Sequence, residues 1–374
     1  MELLHLAIQD FRNLVSVELT PSRRATVAVG QNGQGKTNLL EALYVLATLK
    51  PLRGSRLSEL IRFGQGQARV TGKFLLSGAT RDISVDITPG ARQASVDGKR
   101  AARLEDYFGG VSVVAFTPED LAVVKGGPDG RRGFLDRAVF NRFPVYLKES
   151  RDYLRALKSR NTLLKQHAAP EYLDAYNVAL ARTGSRVLVR RRALMAELAP
   201  RAEAAFHAIA KTGDPARYDY APTPFAELYR EAEVEALETA LLAALEQRTR
   251  RDRERGFTSV GPHTDDLTLE LGGRSARSYA SQGQQRAFVL AWKVAEIENL
   301  SATLGYQPLL LLDDVSSELD PERNAYLMHY LAACGAQVFL TTTEASLVSA
   351  AAGDDTLWCR VEQGRVSRSE RSAL

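Results

Sequence analysis

Apolar and polar residues alternate along the first third of the chain, which is typical of strands with one buried face. Strands are predicted at 4–8, 15–19, 25–29, 69–76, 81–87 and 111–116. A single helix is predicted among them, at about 36–48, directly after an apolar run that ends at Gly30. This mixture of strands and helix favours an α/β domain.

From residue 118 the apolar positions change to helical spacing. One series consists of Leu147, Leu154, Leu157 and Leu164, and a second runs over 173–194. We expect two antiparallel helices of about 22 and 28 residues, which would form an arm about 40 Å long at about 1.5 Å per residue. A stretch with three prolines, 215–224, separates this arm from a further helix that ends near residue 255.

The strand pattern returns in the last third. Strands are predicted at 267–271, 309–312, 337–340 and 357–361, and helices at 284–304 and 321–333. The Gln363-Gly364 pair suits the turn of a closing hairpin. The order of elements predicts one α/β domain that is split around a helical insertion, with a first part at 1–128, the insertion at 129–256 and a second part at 257–374.

Length and composition agree with two domains, since a single core stops growing at about 250–300 residues and the chain has 374. No apolar run of about 18 residues and no signal-peptide pattern occur, so we expect a cytoplasmic protein with no membrane association. Cys334 and Cys359 have no metal-ligand spacing. Neither a zinc site nor a disulfide framework is therefore predicted.

The net charge of +4 is unevenly distributed along the chain. Residues 129–255 contain 24 Lys and Arg against 18 Asp and Glu, so the basic excess lies in the helical insertion. Such an excess favours a nucleic-acid partner only weakly, because many of these side chains could instead form ion pairs on helix surfaces.

A phosphate-binding loop is predicted between the third strand and the first helix. Residues 30–37, GQNGQGKT, match the pattern G-x-x-x-x-G-K-[ST] in the strand-to-helix context that this motif requires. Backbone N–H groups would hold the phosphates of ATP, Lys36 would add a charge, and the Thr37 hydroxyl would hold Mg²⁺. The predicted ATP contacts in this loop are Gly30, Asn32, Gly33, Gly35, Lys36, Thr37 and Asn38.

The string LLLLDD at 309–314 predicts a buried parallel strand with two carboxylates at its carboxyl end, where ligands bind in open α/β sheets. Asp313 is suited to bind Mg²⁺. Asp314 is suited to orient or deprotonate the attacking water. With Lys36, these two residues form the predicted catalytic group.

Two further strings flank this strand. SQGQQR, at 281–286, opens a helix, and SSELD, at 316–320, precedes a proline. Each alone could be a helix cap or a turn, but in this order they resemble the signature motif and the D-loop of ABC-type ATPases. The resemblance implies an ABC-type head, a mixed sheet with helices, with an α-helical arm inserted in it. It also implies an ATP-dependent homodimer in which Ser281, Gly283 and Gln284 contact the ATP of the other subunit and Asp320 belongs to the shared site.

The chain resembles the RecF family in its short helical arm. It also shares several sequence strings with that family: LHLAIQDFRNL, PEDL followed by VKGGP, GPH with DD at 265–266, and SQGQQR. The resemblance implies a weak, DNA-stimulated ATPase that binds duplex DNA near single-strand gaps and acts with RecR and RecO to load RecA. Three features depart from the pattern. Thr264 replaces an arginine, 341–344 lacks the transporters' switch histidine, and no Q-loop glutamine follows Phe116.

The predicted DNA contacts are Arg131, Arg132, Arg190, Arg191 and Arg192. For each of them an ion pair on the protein surface is an equally good interpretation. Arg53 and Arg56 could contact nucleotide or DNA, or simply lie in a solvated loop. Two other functions stay open: an ATP-gated protein scaffold with little DNA contact, and a P-loop kinase or nuclease.

Overall fold

A computed structural model describes residues 1–54, 56–102, 107, 110–222 and 226–373. The chain forms two compact units, one made of 1–121 and 296–374 and the other of 122–295. These limits differ from the boundaries predicted at 128/129 and 256/257, because 257–295 packs with the second unit. Within the described residues, no helix is long and apolar enough to cross a membrane.

The elements before the insertion include the predicted ones in the predicted order, together with two strands, Arg92–Val96 and Lys99–Arg100, that were not predicted. They are β1 (Glu2–Phe11), β2 (Leu14–Leu19), β3 (Ala25–Val29), α1 (Lys36–Thr48), β4 (Ala68–Leu76), β5 (Ala79–Ile87), β6 (Arg92–Val96), β7 (Lys99–Arg100), β8 (Val113–Phe116) and α2 (Pro118–Leu121). A short 3-10 helix, Leu57–Leu60, lies between α1 and β4.

The second unit contains the insertion and the residues after it as far as 295, and it ends within a long helix, Gln282–Leu304. Their elements are α3 (Pro128–Arg142), α4 (Tyr146–Lys165), α5 (Pro170–Ala210), β9 (Ala216–Ala221), α6 (Ala226–Glu231), α7 (Val234–Arg255), β10 (Asp266–Leu271), β11 (Arg274–Ser275), α8 (Ala276–Tyr279) and α9 (Gln282–Leu304). The chain then continues with β12 (Leu309–Asp313), α10 (Val315–Glu318), α11 (Pro321–Ala333), β13 (Val338–Thr342), β14 (Leu357–Glu362) and β15 (Arg365–Arg368). Two 3-10 helices, Ala345–Val348 and Arg371–Ala373, complete the first unit.

The first unit contains two six-stranded sheets. One is antiparallel, with the order β2-β1-β4-β5-β6-β7, and the other has the order β15-β14-β3-β13-β12-β8. In the second sheet β14, β3, β13, β12 and β8 are parallel, and β15 pairs antiparallel with β14. Helix α1 contacts strands of both sheets and is buried almost all round, as its apolar sequence requires.

The parallel strands position the candidate site. Because β3, β13, β12 and β8 run in the same direction, the chain leaves all four at one edge of the sheet. The phosphate loop follows β3, the two aspartates end β12, Thr341 and Thr342 end β13, and α2 follows β8. Residues far apart in sequence thus meet at this edge.

The second unit is built on the helical hairpin of α4 and α5. Helix α4 has 20 residues, close to the prediction, but α5 has 41 and continues through Pro200. The predicted length of about 28 was wrong because the apolar face of α5 extends to Ile209, while Pro200 is exposed to solvent. Strand β9, in the proline-containing stretch, was not predicted. It pairs with β10 and thereby ties the stretch after 256 to the insertion.

A fully buried ion pair joins α4 to α7. Arg160 donates to the Asp252 carboxylate at 2.8 Å, and neither side chain is exposed. Asn177 and Thr258 accept further hydrogen bonds from the same guanidinium. A buried charge requires such partners, so this network fixes how the helices of the second unit meet.

Candidate nucleotide site

The phosphate loop connects β3 to α1 and has the backbone that its glycines permit. Gly33 and Gly35 have positive φ values of 80° and 114°, a region that disfavours other residues. Gly35 is also the N-cap of α1. A side chain at this position would meet the Asn13 amide oxygen at 2.6 Å. The loop therefore presents its N–H groups and the start of a helix, which attract anions.

Two hairpin turns hold the loop from outside. In the β14–β15 turn, Gly364 N–H donates to the Gln34 carbonyl at 2.8 Å, and Gln363 N–H donates to the Gln34 side chain at 2.6 Å. In the β1–β2 turn, Asn13 donates to the same carbonyl at 3.2 Å and accepts from Asn38 at 2.8 Å. A Cβ on Gly364 would overlap the Asn13 carbonyl, so glycine is required where the two turns touch.

Lys36 is buried within the loop. Its ammonium group donates to the carbonyls of Gly30 and Gln31 at 2.7 and 3.1 Å. Burial lowers the pKa of Lys36, and the nearby carboxylates of Asp314 and Asp313 oppose this shift. The residue is thus a positive charge inside the loop that a triphosphate would occupy.

Asp313 is held by hydroxyl groups from two other elements. Its Oδ1 accepts from Thr37 at 2.7 Å and from Thr341 at 2.9 Å, and the carboxylate is buried. Mg²⁺ binds few protein oxygens and takes its remaining ligands from phosphate and water, so Thr37 and Asp313 fit such an ion. In the described residues there is no group of three or more His, Cys, Asp or Glu that could hold a metal ion.

Asp314 lies at the end of β12 in the left-handed region, with φ 50°. Its N–H is fixed by the Thr341 carbonyl at 3.1 Å and hydroxyl at 3.0 Å. Its Oδ1 is buried and has no hydrogen-bond partner within the described part of the chain. Burial raises the pKa of Asp314, while Lys36 acts in the opposite direction. An unsatisfied carboxylate oxygen of raised basicity is suited to accept a proton from water.

A cleft of about 930 Å³ lies beside the loop, next to Asn38 and Arg53. Its wall includes Arg12, Arg62 and Phe63, and the ring of Phe63 is fully exposed. The cleft has the size of a small-molecule site, and an exposed ring offers a face on which a planar base can stack.

The signature string opens α9. Ser281 and Gln284 form a reciprocal cap, in which Ser281 Oγ accepts from the Gln284 N–H at 3.2 Å and Gln284 Oε1 accepts from the Ser281 N–H at 2.8 Å. Ser281 is exposed and Gly283 is half-buried. Asp320, in the predicted D-loop, caps α11 through the Arg323 N–H at 3.1 Å. Thr264 donates to the Gly261 carbonyl through both its N–H and its hydroxyl, at 2.8 Å each.

Two of the five arginines predicted to contact DNA are buried in ion pairs. Arg131 forms two 2.7 Å hydrogen bonds with Asp266, and Arg191 is held by Asp136, Tyr220 and a backbone carbonyl. Burial of both guanidinium groups favours the ion-pair interpretation of Arg131 and Arg191, and their contact with DNA stays a prediction.

The other three predicted arginines are partly buried. Arg132 pairs with Asp129, Arg190 with Glu149, and Arg192 donates to two backbone carbonyls near α6. The interpretation as ion pairs and helix contacts therefore describes them better than a free basic cluster does.

Sequence reasoning missed Thr341, Asn13 and Gly364. Thr341 lies in the segment that lacks a switch histidine, and its hydroxyl holds Asp313 and the Asp314 N–H. Only strand pairing brings these residues to the site, so the local sequence carries no signal for them. Arg53, which the sequence left undecided, donates to Asp313 at 3.0 Å.

A phosphate loop and paired aspartates at one edge of a mostly parallel sheet, with a helix-opening signature, define an ABC-type ATPase head. The family model for the RecF/RecN/SMC N-terminal domain matches residues 2–367. The DNA replication and repair protein RecF of Myxococcus xanthus is 67% identical over 98% of this chain and 97% of its own length. RecF of Geobacter sp. (strain M21) is 41% identical over 98% of this chain and 100% of its own. The chain belongs to the RecF family.

Solved structures agree with this assignment. The recombination mediator protein RecF-ATPrS in the RecFOR pathway is 29% identical, has a TM-score of 0.88 and covers 98% of both chains. An SMC head bound to the C-winged helix domain of ScpA, with 17% identity and a TM-score of 0.56, has the same type of fold. It covers 100% of this chain and 99% of its own.

Proposed function

We propose that this protein is an ATP-dependent DNA-binding recombination mediator. The observation that carries the proposal is the convergence of Lys36, Thr37, Asp313 and Asp314 at one sheet edge. The relatives named RecF, and the solved RecF described with ATP, support the same chemistry. Binding of ATP switches the protein on, and slow hydrolysis switches it off.

The residues of the site define how ATP and Mg²⁺ would be held. The phosphates would lie on the loop against Lys36, and Thr37 and Asp313 would hold Mg²⁺. The nucleoside would extend past Asn38 into the cleft, whose wall includes Phe63, Arg12 and Arg62. A stacked base and a charged loop together favour a nucleoside triphosphate over a simple phosphate ester.

ATP joins two copies of the chain. In the dimer, the exposed N-terminus of α9, with Ser281 and Gly283, covers the γ-phosphate held by the other subunit. A capped helix N-terminus supplies both hydrogen-bond donors and a positive dipole end, so it binds the ATP state and releases the product state.

Ser281→Asp tests this dimer with little effect on folding. Aspartate and asparagine cap helices as well as serine does, so both variants keep α9 intact. Only aspartate brings a negative charge to the γ-phosphate, and such a contact costs several kcal/mol, so we expect ATP-dependent dimerisation to weaken about a hundredfold. Light scattering with and without ATP measures this, and Ser281→Asn is the matched control. Equal dimerisation of the two variants would contradict the proposed contact.

Duplex DNA binds the solvent face of α4. Lys148, Arg151, Arg155, Lys158 and Lys165 lie on one side of this helix, opposite its buried residues. Four of the five are exposed, and within the described residues their one ion pair is a 3.8 Å contact of Arg155 with Asp152. These five residues form a basic stripe that is about 26 Å long at about 1.5 Å per residue. It supplies the solvated cations that the predicted arginines do not.

Reversing two charges of this stripe will weaken DNA binding. We expect Arg155→Glu/Lys158→Glu to lower duplex affinity about tenfold or more and to reduce the salt slope by about two, one for each lost phosphate contact. Fluorescence anisotropy across a salt series measures both. Lys99→Glu/Arg100→Glu, on exposed strand β7, changes the net charge equally and serves as the control. If both variants lose affinity alike, the stripe is not the contact surface.

At gaps, this DNA-bound dimer acts with RecR and RecO to load RecA. The solved relative in the RecFOR pathway supports this role. An ATP-gated scaffold with little DNA contact is the competing function. The ATPase rate with and without duplex DNA, measured alongside the dimer fraction, separates the two, because only the DNA-binding mediator is stimulated by DNA.

A further inference from the structure

The guanidinium of Arg53 lies where the two proposed Mg²⁺ ligands meet. Its Nη2 donates to Asp313 Oδ2 at 3.0 Å and to Thr37 Oγ1 at 3.3 Å. Thr37 and Asp313 are themselves joined at 2.7 Å. A positive group thus already sits against the oxygens that would receive the metal ion.

A third oxygen group faces the same guanidinium. Glu119 belongs to α2, which follows β8, the neighbour of β12 in the parallel sheet. Its carboxylate lies 3.9 Å from Arg53 Nε. Glu119 therefore comes from the segment in which the sequence offered no Q-loop glutamine, and it faces the Arg53 guanidinium together with Asp313.

The surroundings explain why a cation is needed here. Asp313 is buried, with 3% of its side chain exposed, and a buried carboxylate is costly without a partner. Arg53 is 47% exposed, so the same side chain has open space into which it can turn. Of the two partners, the buried carboxylate is fixed and the arginine can move.

We propose that Arg53 is a tethered substitute for the metal ion. In the nucleotide-free protein it neutralises Asp313 at the cation position formed by Thr37, Asp313 and Glu119, and Mg²⁺ arriving with ATP displaces it. Glu119 then faces the water shell of the ion. This inference rests on the proposed Mg·ATP site and adds two positioning residues to it.

The exchange links metal loading to the cleft. Arg53 also lines the 930 Å³ cleft beside the loop. The backbone N–H of Arg53 donates to the Glu41 carboxylate of α1 at 3.5 Å. This hydrogen bond anchors the backbone at Arg53 to α1. When the Arg53 side chain leaves Asp313, the shape of the cleft wall that it forms changes. Binding of the ion and binding of the nucleoside are therefore coupled through Arg53.

Manganese binding without nucleotide tests the substitution directly. Because Arg53→Ala removes the competing cation, we expect it to bind Mn²⁺ about tenfold more tightly than the unaltered protein, as measured by the loss of the free Mn²⁺ resonance signal. Adding Glu119→Gln to Arg53→Ala should weaken this gain, and adding Asp313→Asn should remove it. Arg56→Ala, three residues along in the same exposed segment, is the control and should bind Mn²⁺ as the unaltered protein does.

Equal Mn²⁺ affinity for Arg53→Ala and the unaltered protein would overturn the proposal. Thermal melting establishes that each variant is folded, and Arg53→Gln provides a second, milder variant with the same expectation. Binding of a fluorescent ATP analogue in the presence of Mg²⁺ is measured in parallel. If the analogue fails to bind the unaltered protein, the proposed nucleotide site is wrong; if it binds but Mn²⁺ affinities do not differ, only the role of Arg53 is wrong.

Discussion

Asp314→Asn will nearly abolish ATP hydrolysis while ATP binding and the ATP-bound dimer persist. The substitution keeps the shape of the side chain but removes its ability to accept a proton. General-base groups contribute about 10²–10⁴-fold to a rate, so we expect kcat to fall by about that factor. Single-turnover hydrolysis and light scattering, measured on the same sample, should show a long-lived dimer.

The pH dependence of hydrolysis provides an independent test of Asp314. Its carboxylate must be ionised to accept the proton, and burial raises its pKa. Activity should therefore be lost as the pH falls through this raised pKa, at a higher pH than an ordinary aspartate, with a pKa of about 3.9, would give. The residual hydrolysis rate of Asp314→Asn should not show this loss of activity at low pH.

The control for Asp314 is Asp354→Asn, at an exposed position outside the site. It should hydrolyse ATP at the rate of the unaltered protein. A normal hydrolysis rate in Asp314→Asn would mean that another group accepts the proton from the attacking water.

Lys36→Ala will prevent ATP binding and hence all ATP-dependent behaviour. The ammonium group is buried among the loop carbonyls that a triphosphate would border. Removing one partner of a buried charge pair costs about 2–5 kcal/mol, so affinity should fall at least about thirtyfold. Titration with a fluorescent ATP analogue measures this directly, and the dimer should be absent at ATP concentrations that saturate the unaltered protein.

Stability must be separated from binding in this experiment, because Lys36→Ala also leaves two carbonyls without their donor. Lys36→Met leaves the same two carbonyls without a donor but retains most of the side-chain volume, so it separates the loss of packing from the loss of the ammonium group. Both variants should lose affinity alike, whereas Lys73→Ala, at an exposed position of β4, should bind normally. Tight binding by Lys36→Met would show that the charge is not needed.

The sequence predicted best where a local pattern determines the element. Helix α1 was predicted at 36–48 and occupies Lys36–Thr48, because a glycine loop starts it and the apolar series sets its length. The buried strand before Asp313 was equally clear, since four consecutive apolar residues suit a parallel strand that is covered on both faces.

Prediction failed where partners distant in sequence determine the outcome. Strand β9 exists because β10, about 50 residues later, pairs with it, and α5 continues past Pro200 because its apolar face has a partner to cover. The burial of charge also depends on distant partners. Arg131 and Arg191 look like surface cations in the sequence, but Asp266 and Asp136 reach them only in the folded unit.

The hairpin turn at Gln363 and Gly364 also has a consequence for how the protein is made. The phosphate loop is complete by residue 37, yet two of the hydrogen bonds that hold Gln34 come from residues more than 320 positions later. The loop is therefore braced only after synthesis has passed residue 364. A nascent chain that stops before this turn lacks both hydrogen bonds, so we expect it to bind ATP more weakly than a chain that contains the turn.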